Sequence, residues 1–164
     1  MEDNSVSKQF SKTIAKVAAL LGHTRRGNSV VKCYGDTFSV IFFQRDKYST
    51  SSRVDFWCNV GGGSKLLHEH FQSIREPFQM VFDQCPFRIM SDLYCHPGRW
   101  TLTSATNTEE TALSVVDCLN SMDWFLKGFE SDQAIKRILL EQDYHIVPDK
   151  FRDGYLRVYA REAV

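Results

Sequence analysis

The sequence predicts an α+β domain: an antiparallel sheet of three to five strands, with N-terminal and C-terminal helices packed mainly on one face. Three observations lead there. Apolar residues recur at helical spacing before Gly22, alternate at period two from Val30 to Val60, and return to helical spacing beyond Thr106. Strands followed by helices, without regular βαβ alternation, fit this class and not a doubly wound sheet. At 164 residues the chain is expected to form one domain, residues 1–164, long enough to bury a real core.

Each element has its own signal. From Ser7 onward, Phe10, Ile14, Val17 and Leu21 make an amphipathic stripe, and Gly22 is a natural C-terminal stop. A short strand follows, in which Val30 and Lys32 face opposite to Val31 and Cys33. Gly35-Asp36 suits a two-residue II′ hairpin turn. The return strand sets Phe38, Val40, Phe42 and Gln44 on one face and Ser39, Ile41, Phe43 and Arg45 on the other. After a polar loop, Val54, Phe56, Cys58 and Val60 share a face, opposite Arg53, Asp55, Trp57 and Asn59. An antiparallel meander is the simplest connection.

Gly61-Gly62-Gly63-Ser64 is expected to break the sheet. Leu67, Phe71 and Ile74 then suggest a short helix ended by Pro77. Phe87 to Met90 and Arg99 to Thr103 are candidates for further strands. Thr106 and Glu109 fit a capping box ahead of the stripe Ala112, Val116, Leu119 and Met122, with Gly128 closing that helix. Ser131 is the expected N-cap of a helix carrying Ile135, Ile138 and Leu139, which Pro148 ends. Phe151, Tyr155, Val158 and Tyr159 fit a last helix, although Tyr155 to Ala160 also reads as a strand.

Composition narrows the function classes. Lys plus Arg and Asp plus Glu are equal at 20 each, so no global basic charge points to nucleic acid. No run approaches the ~20 apolar residues of a membrane span. The start, MEDNSVSKQF, does not read as a secretory signal. Five cysteines at wide, irregular spacing fit reduced thiols better than a disulfide framework, and a cytoplasmic location is expected.

The run Leu21 to Gly61 resembles the front part of a bacterial family known only as a domain of unknown function (number 4304). The matching residues are Gly22, Arg25-Arg26-Gly27, Gly35-Asp36, Phe42-Phe43-Gln44 and Asn59-Val60-Gly61. His23 stands where the family pattern has Phe. Beyond that run the match is loose, around Cys95-His96 and Arg99-Trp100. The resemblance implies helices against an antiparallel sheet, and it transfers no activity. An immunity-like protein binder is an analogy at the level of class.

Several motifs invite chemistry, and each has a plainer account. His68 and His70 flank Glu69, but residues two apart on a helix point in different directions and cannot share an ion. Cys95 beside His96 looks like a nucleophile and its base, yet such pairs work through space, with a third group orienting the His. Gly61 to Lys65 lacks the spacing of a phosphate loop. Arg25, Arg26, Arg45, Lys47 and Arg53, with Tyr34, Tyr48 and Trp57, have the residue types used on single strands of nucleic acid; the zero net charge argues against that use.

The remaining candidate is the second sheet face, where Ile41, Phe43 and Trp57 would lie if the helices cover the other side. With Arg25, Arg26, Gln44, Arg45 and Asn59 nearby, and His96 and Arg99 from the later match, it suits a partner surface. The favoured reading is therefore a protein-binding module, with no metal or cofactor and no membrane contact expected. The alternatives are a small hydrolase or nuclease, which needs some of His23, His96, Arg99, Asp55 and Gln44 to converge, and anionic-ligand or nucleic-acid binding along the basic edge.

Overall fold

The computed structural model describes residues 5–71, 77–141 and 149–161. Through them run α1 (Val6–Leu21), β1 (Thr24–Arg26), β2 (Ser29–Tyr34), β3 (Thr37–Arg45), β4 (Arg53–Ser64) and α2 (Lys65–Phe71). There follow β5 (Phe87–Met90), α3 (Ser91–Tyr94), β6 (Arg99–Thr103), α4 (Thr108–Ser121), α5 (Asp123–Leu126), α6 (Asp132–Leu140) and α7 (Asp149–Arg161). Turns of 3₁₀ helix lie at Phe82–Gln84 and Lys127–Phe129. The class is α+β, as expected, and the sheet has six strands, all paired antiparallel. The strand beyond the expected number is β1, whose polar Thr24-Arg25-Arg26 carries no apolar alternation. The turn at Gly27, with φ 60°, folds it back on β2.

The expected turns form. Gly22 takes φ 64° and its N–H bonds back to the last turn of α1. Gly35 takes φ 80° while Asp36 does not, which is the II′ pattern joining Tyr34 to Thr37.

Strand β4 is the spine of the sheet. Along one edge it pairs with β3; along the other it takes β6 at Arg53–Trp57 and β5 at Asn59–Gly62, end to end. Gly61, Gly62 and Gly63 therefore continue the strand, which corrects the expectation of a break. They serve close packing: a Cβ on Gly61 would sit 2.9 Å from the Phe87 carbonyl, and one on Gly62 would overlap the Phe129 ring.

The register also corrects the assignment of faces. Phe43 lies opposite Cys58 and Ile41 opposite Val60, so these four share one side, while Trp57 lies opposite Gln44 on the other. The first side is the main core. Against it pack Phe10, Ile14 and Val17 of α1, Val115 and Leu119 of α4, then Phe125, Phe129 and Ile135. Phe56 meets Phe10 edge-on at 5.2 Å and stacks on Trp100 at 5.5 Å. On the reverse side Val31, Phe38 and Val40 are covered by Phe78, Met80, Phe82 and Cys85, which belong to a largely irregular segment.

Three C-terminal details differ from expectation. Asn107, not Thr106, caps α4, accepting from the Glu109 and Glu110 amides; Thr106 instead accepts the Thr103 amide. That helix ends at Ser121, well before Gly128. Cys95 and Cys118 form a disulfide with Cα atoms 5.5 Å apart, against the expectation of five reduced thiols. Ser131 does cap α6, and Tyr155 to Ala160 is helical. Ile74 and Pro148 lie outside the described residues, as do the side chains of Phe71 and Phe151. No described helix is long and apolar enough to cross a membrane.

Candidate interaction groove

The residues singled out by the sequence do not form one site. Ile41 and Phe43 are fully buried in the main core, so neither can line a surface. Trp57 is half-buried on the reverse face with Gln44 and Asn59. The Arg99 guanidinium lies over its ring at 4.6 Å, and Arg99 Nε donates to Asp92 Oδ2 at 2.9 Å. Trp57 Nε1 is covered and has no acceptor. Arg25 is occupied by α1, donating to the Ser11 carbonyl at 3.0 Å and to Ser11 Oγ at 2.8 Å. Arg26 is exposed on β1, at the sheet edge. Gln44 donates to the Arg45 carbonyl, and Arg45 donates to that of Thr50.

No two of His23, His96, Arg99, Asp55 and Gln44 hydrogen-bond to each other. Asp55 accepts from Arg53 and from Thr101 Oγ1, and His23 Nδ1 meets the Leu21 carbonyl. Two aromatics of the basic-aromatic set carry a lysine over the ring: Lys47, of the same set, lies over Tyr48 at 4.9 Å, and Lys32, from outside it, over Tyr34 at 5.1 Å. In α2, the His68 ring stands edge-on to Phe78 at 5.3 Å, and His70 Nδ1 meets the Leu66 carbonyl at 2.9 Å. Among the described residues no group of three potential ligands could hold a metal ion.

A smaller cavity of about 210 Å³ gathers Ser64, His68, Asp83, Cys85 and Tyr155. Its chemistry is muted. Burial pushes the Cys85 thiol well above its ordinary value, which leaves the neutral thiol and not the nucleophilic thiolate. Ser64 accepts the Leu67 amide and stands 3.4 Å from the Tyr159 hydroxyl, which donates to Asp132. That chain fastens α7 to the end of β4.

His96, from the sequence set, lines a larger concavity. It is an open groove of about 630 Å³, with Tyr94, Cys95, His96 and Pro97 on one wall. Glu110, Leu113, Ser114, Asp117, Cys118 and Ser121 form the other, all from one face of α4 at spacings of three and four. Local structure fixes both walls. Cys58, paired with Phe43 on the β3 edge, has no strand partner on the other edge, between the β6 and β5 pairings; there its N–H is accepted by Ser91 Oγ at 3.0 Å, which donates to the Gly98 carbonyl at 2.7 Å. A Cβ on Gly98 would overlap the Asp92 backbone, so the loop closes tightly there. The Cys95–Cys118 bond then ties this wall to α4, and Trp100 Nε1 donates to Ser114 Oγ at 3.0 Å beneath it.

Large apolar side chains stand open at this groove. Tyr94 and Leu113 are each 47% exposed, and Leu93, beside Tyr94 on α3, is 73% exposed. The Tyr94 ring is braced by Trp124 at 6.0 Å. Sequence reasoning passed over Leu113, although it is an apolar residue in the outward row Glu110-Leu113-Asp117, which was a readable signal. Tyr94 carried none. No family profile, curated protein or solved structure matches this chain.

Proposed function

We propose that this chain is a protein-interaction module that receives its partner in the groove between Tyr94–Pro97 and α4. The observation that carries the reading is that Tyr94 and Leu113 both stand exposed in the lining of one groove. They are two of the six exposed large hydrophobic side chains among the described residues, and a third, Leu93, adjoins Tyr94 in the chain outside the lining. Exposed apolar residues scattered singly need no explanation, whereas a cluster rimmed by polar groups marks an association surface. An aromatic anchor held by a neighbouring ring is the kind of residue that dominates interface energetics.

An immunity-like role within the bacterial family that Leu21–Gly61 resembles belongs to the same proposal. The three glycines with positive φ, Gly22, Gly27 and Gly35, are all among the matched residues, which supports the resemblance in local structure. A cytoplasmic setting fits less well, because a Cys95–Cys118 bond persists most readily in an oxidising compartment.

Photo-crosslinking tests the reading. A benzoylphenylalanine in place of Leu113 is expected to capture one partner polypeptide in cells. The same group in place of Tyr48, 77% exposed beyond the end of β3, is expected to capture none. Equal capture from both positions, or capture at Tyr48 alone, contradicts the assignment.

A further inference from the structure

We infer that the partner segment held in this groove is basic–apolar–basic: two cationic side chains about 10 Å apart on either side of an apolar one. This rests on the groove's being the docking surface. The argument is charge complementarity. Four acidic residues stand on α4 and at the start of α5, Glu109, Glu110, Asp117 and Asp123, and they divide cleanly around the groove. Glu109 is paired with Lys16 at 2.7 Å and Asp123 with Lys127 at 2.5 Å, both away from the lining. Glu110 and Asp117 line the groove and make no ion pair with any described residue. The lining contains no Lys or Arg.

The spacing gives the partner its pattern. Glu110 and Asp117 are seven residues apart on α4, two turns, or about 10.5 Å along the axis. Leu113 lies between them, facing Tyr94 across the groove. In the polyproline II conformation three residues make one turn and rise about 9.3 Å, so cations at positions i and i+3 lie on one side of the segment and reach both carboxylates, while a side chain between them turns toward the apolar wall. Arginine suits these positions better than lysine. Its planar guanidinium accepts a carboxylate in bidentate fashion and also stacks on an aromatic face such as that of Tyr94. Exposed pairs of this kind contribute little affinity by themselves. They set partner choice and encounter rate, while the apolar contact supplies most of the binding.

The test is an NMR titration of the ¹⁵N-labelled full chain with acetyl-Arg-Leu-Leu-Arg-amide, alongside the matching Gln-Leu-Leu-Gln and Glu-Leu-Leu-Glu peptides. Amide shifts are expected to concentrate at residues 94–97 and 110–121. The arginine peptide is expected to bind about tenfold more tightly than the glutamine one. That preference should shrink as salt rises toward about 1 M, where charges are screened within about 3 Å. A Glu110→Gln/Asp117→Asn variant, its fold checked by circular dichroism, should bind the arginine and glutamine peptides alike. Equal affinity of those two peptides for the natural chain, or an undiminished arginine preference in the variant, overturns the charge assignment and leaves the groove as an apolar docking surface. Shifts confined to other regions, or none with any peptide, overturn the docking reading itself.

Discussion

Ser91 shows how one hydroxyl decides local order. It is fully buried, accepts the Cys58 amide and donates to the Gly98 carbonyl, so it satisfies two backbone groups at the gap between β5 and β6. Ser91→Ala leaves both buried groups unpaired, and such losses cost about 1–3 kcal/mol. Urea unfolding of the variant should show that loss, and a change within about 0.5 kcal/mol would contradict the role. The ion pair of Arg53 with Asp55 is a useful contrast. Its hydrogen bonds hold the Asp55 carboxyl below the usual range, yet the pair is open to solvent and Arg53→Ala should be nearly neutral.

His23 gives a pH dependence of definite sign. Burial is the largest influence on it and lowers its pKa in the folded chain, against the opposing bond to the Leu21 carbonyl. The unfolded chain therefore binds the proton more readily. The stability that His23 contributes is fully present above the ordinary imidazole value near about 6.5. It falls as pH drops from there toward the lowered folded value. His23→Gln, which keeps a donor for Leu21, should lose less stability than the natural chain between pH of about 7.5 and 5.5. Parallel stability–pH curves for the two proteins would contradict this.

At the scale of elements, the glycines of β4 are set by what approaches them. A methyl at Gly62 overlaps the Phe129 ring, so Gly62→Ala must displace a buried aromatic and is expected to cost about 1–3 kcal/mol by thermal or urea unfolding. An unchanged midpoint would mean that Phe129 does not pack there. This is also where sequence reading reached its limit. A run of glycines looks like a chain break because a single sequence does not reveal the close neighbours that demand it. The alternation in Val54, Phe56, Cys58 and Val60 was legible because the opposite positions are polar. In β3 both faces carry large apolar groups, since the helices cover one and the 78–85 segment the other. Periodicity then identifies the strand without identifying its sides, and the loop between β3 and β4 leaves the relative register open. Ile41 and Phe43 were misplaced for that reason. Gly22, Gly35 and Ser131 were legible because their signals are local: a turn or a cap is decided within four residues.

Across the whole molecule, the cysteines and the groove depend on contacts that join distant pieces of chain. Cys95 and Cys118 are 23 residues apart, and nothing in that spacing announces a bond between them. Alkylation of the native, unreduced protein followed by mass spectrometry should modify exposed Cys33. It should spare Cys58 and Cys85, which are buried with thiols pushed far up in pKa. Cys95 and Cys118 should react only after reduction; their labelling in the untreated protein would contradict the disulfide. The groove was only glimpsed in the sequence, through His96, because its walls come from the end of a four-residue helix and from the outward face of a distant one. What brings them together is the Ser91 junction and the Cys95–Cys118 link.

The central claim is that partners meet this protein at the α3–α4 groove and not at the sheet face around Trp57. Calorimetry with the crosslinked partner, once purified, tests it with two folded variants. Leu113→Asp is expected to weaken binding by about 2 kcal/mol or more, the scale of an interface hot spot, while Trp57→Ala leaves the affinity unchanged. The reverse result, with Trp57→Ala abolishing binding and Leu113→Asp harmless, would contradict the account.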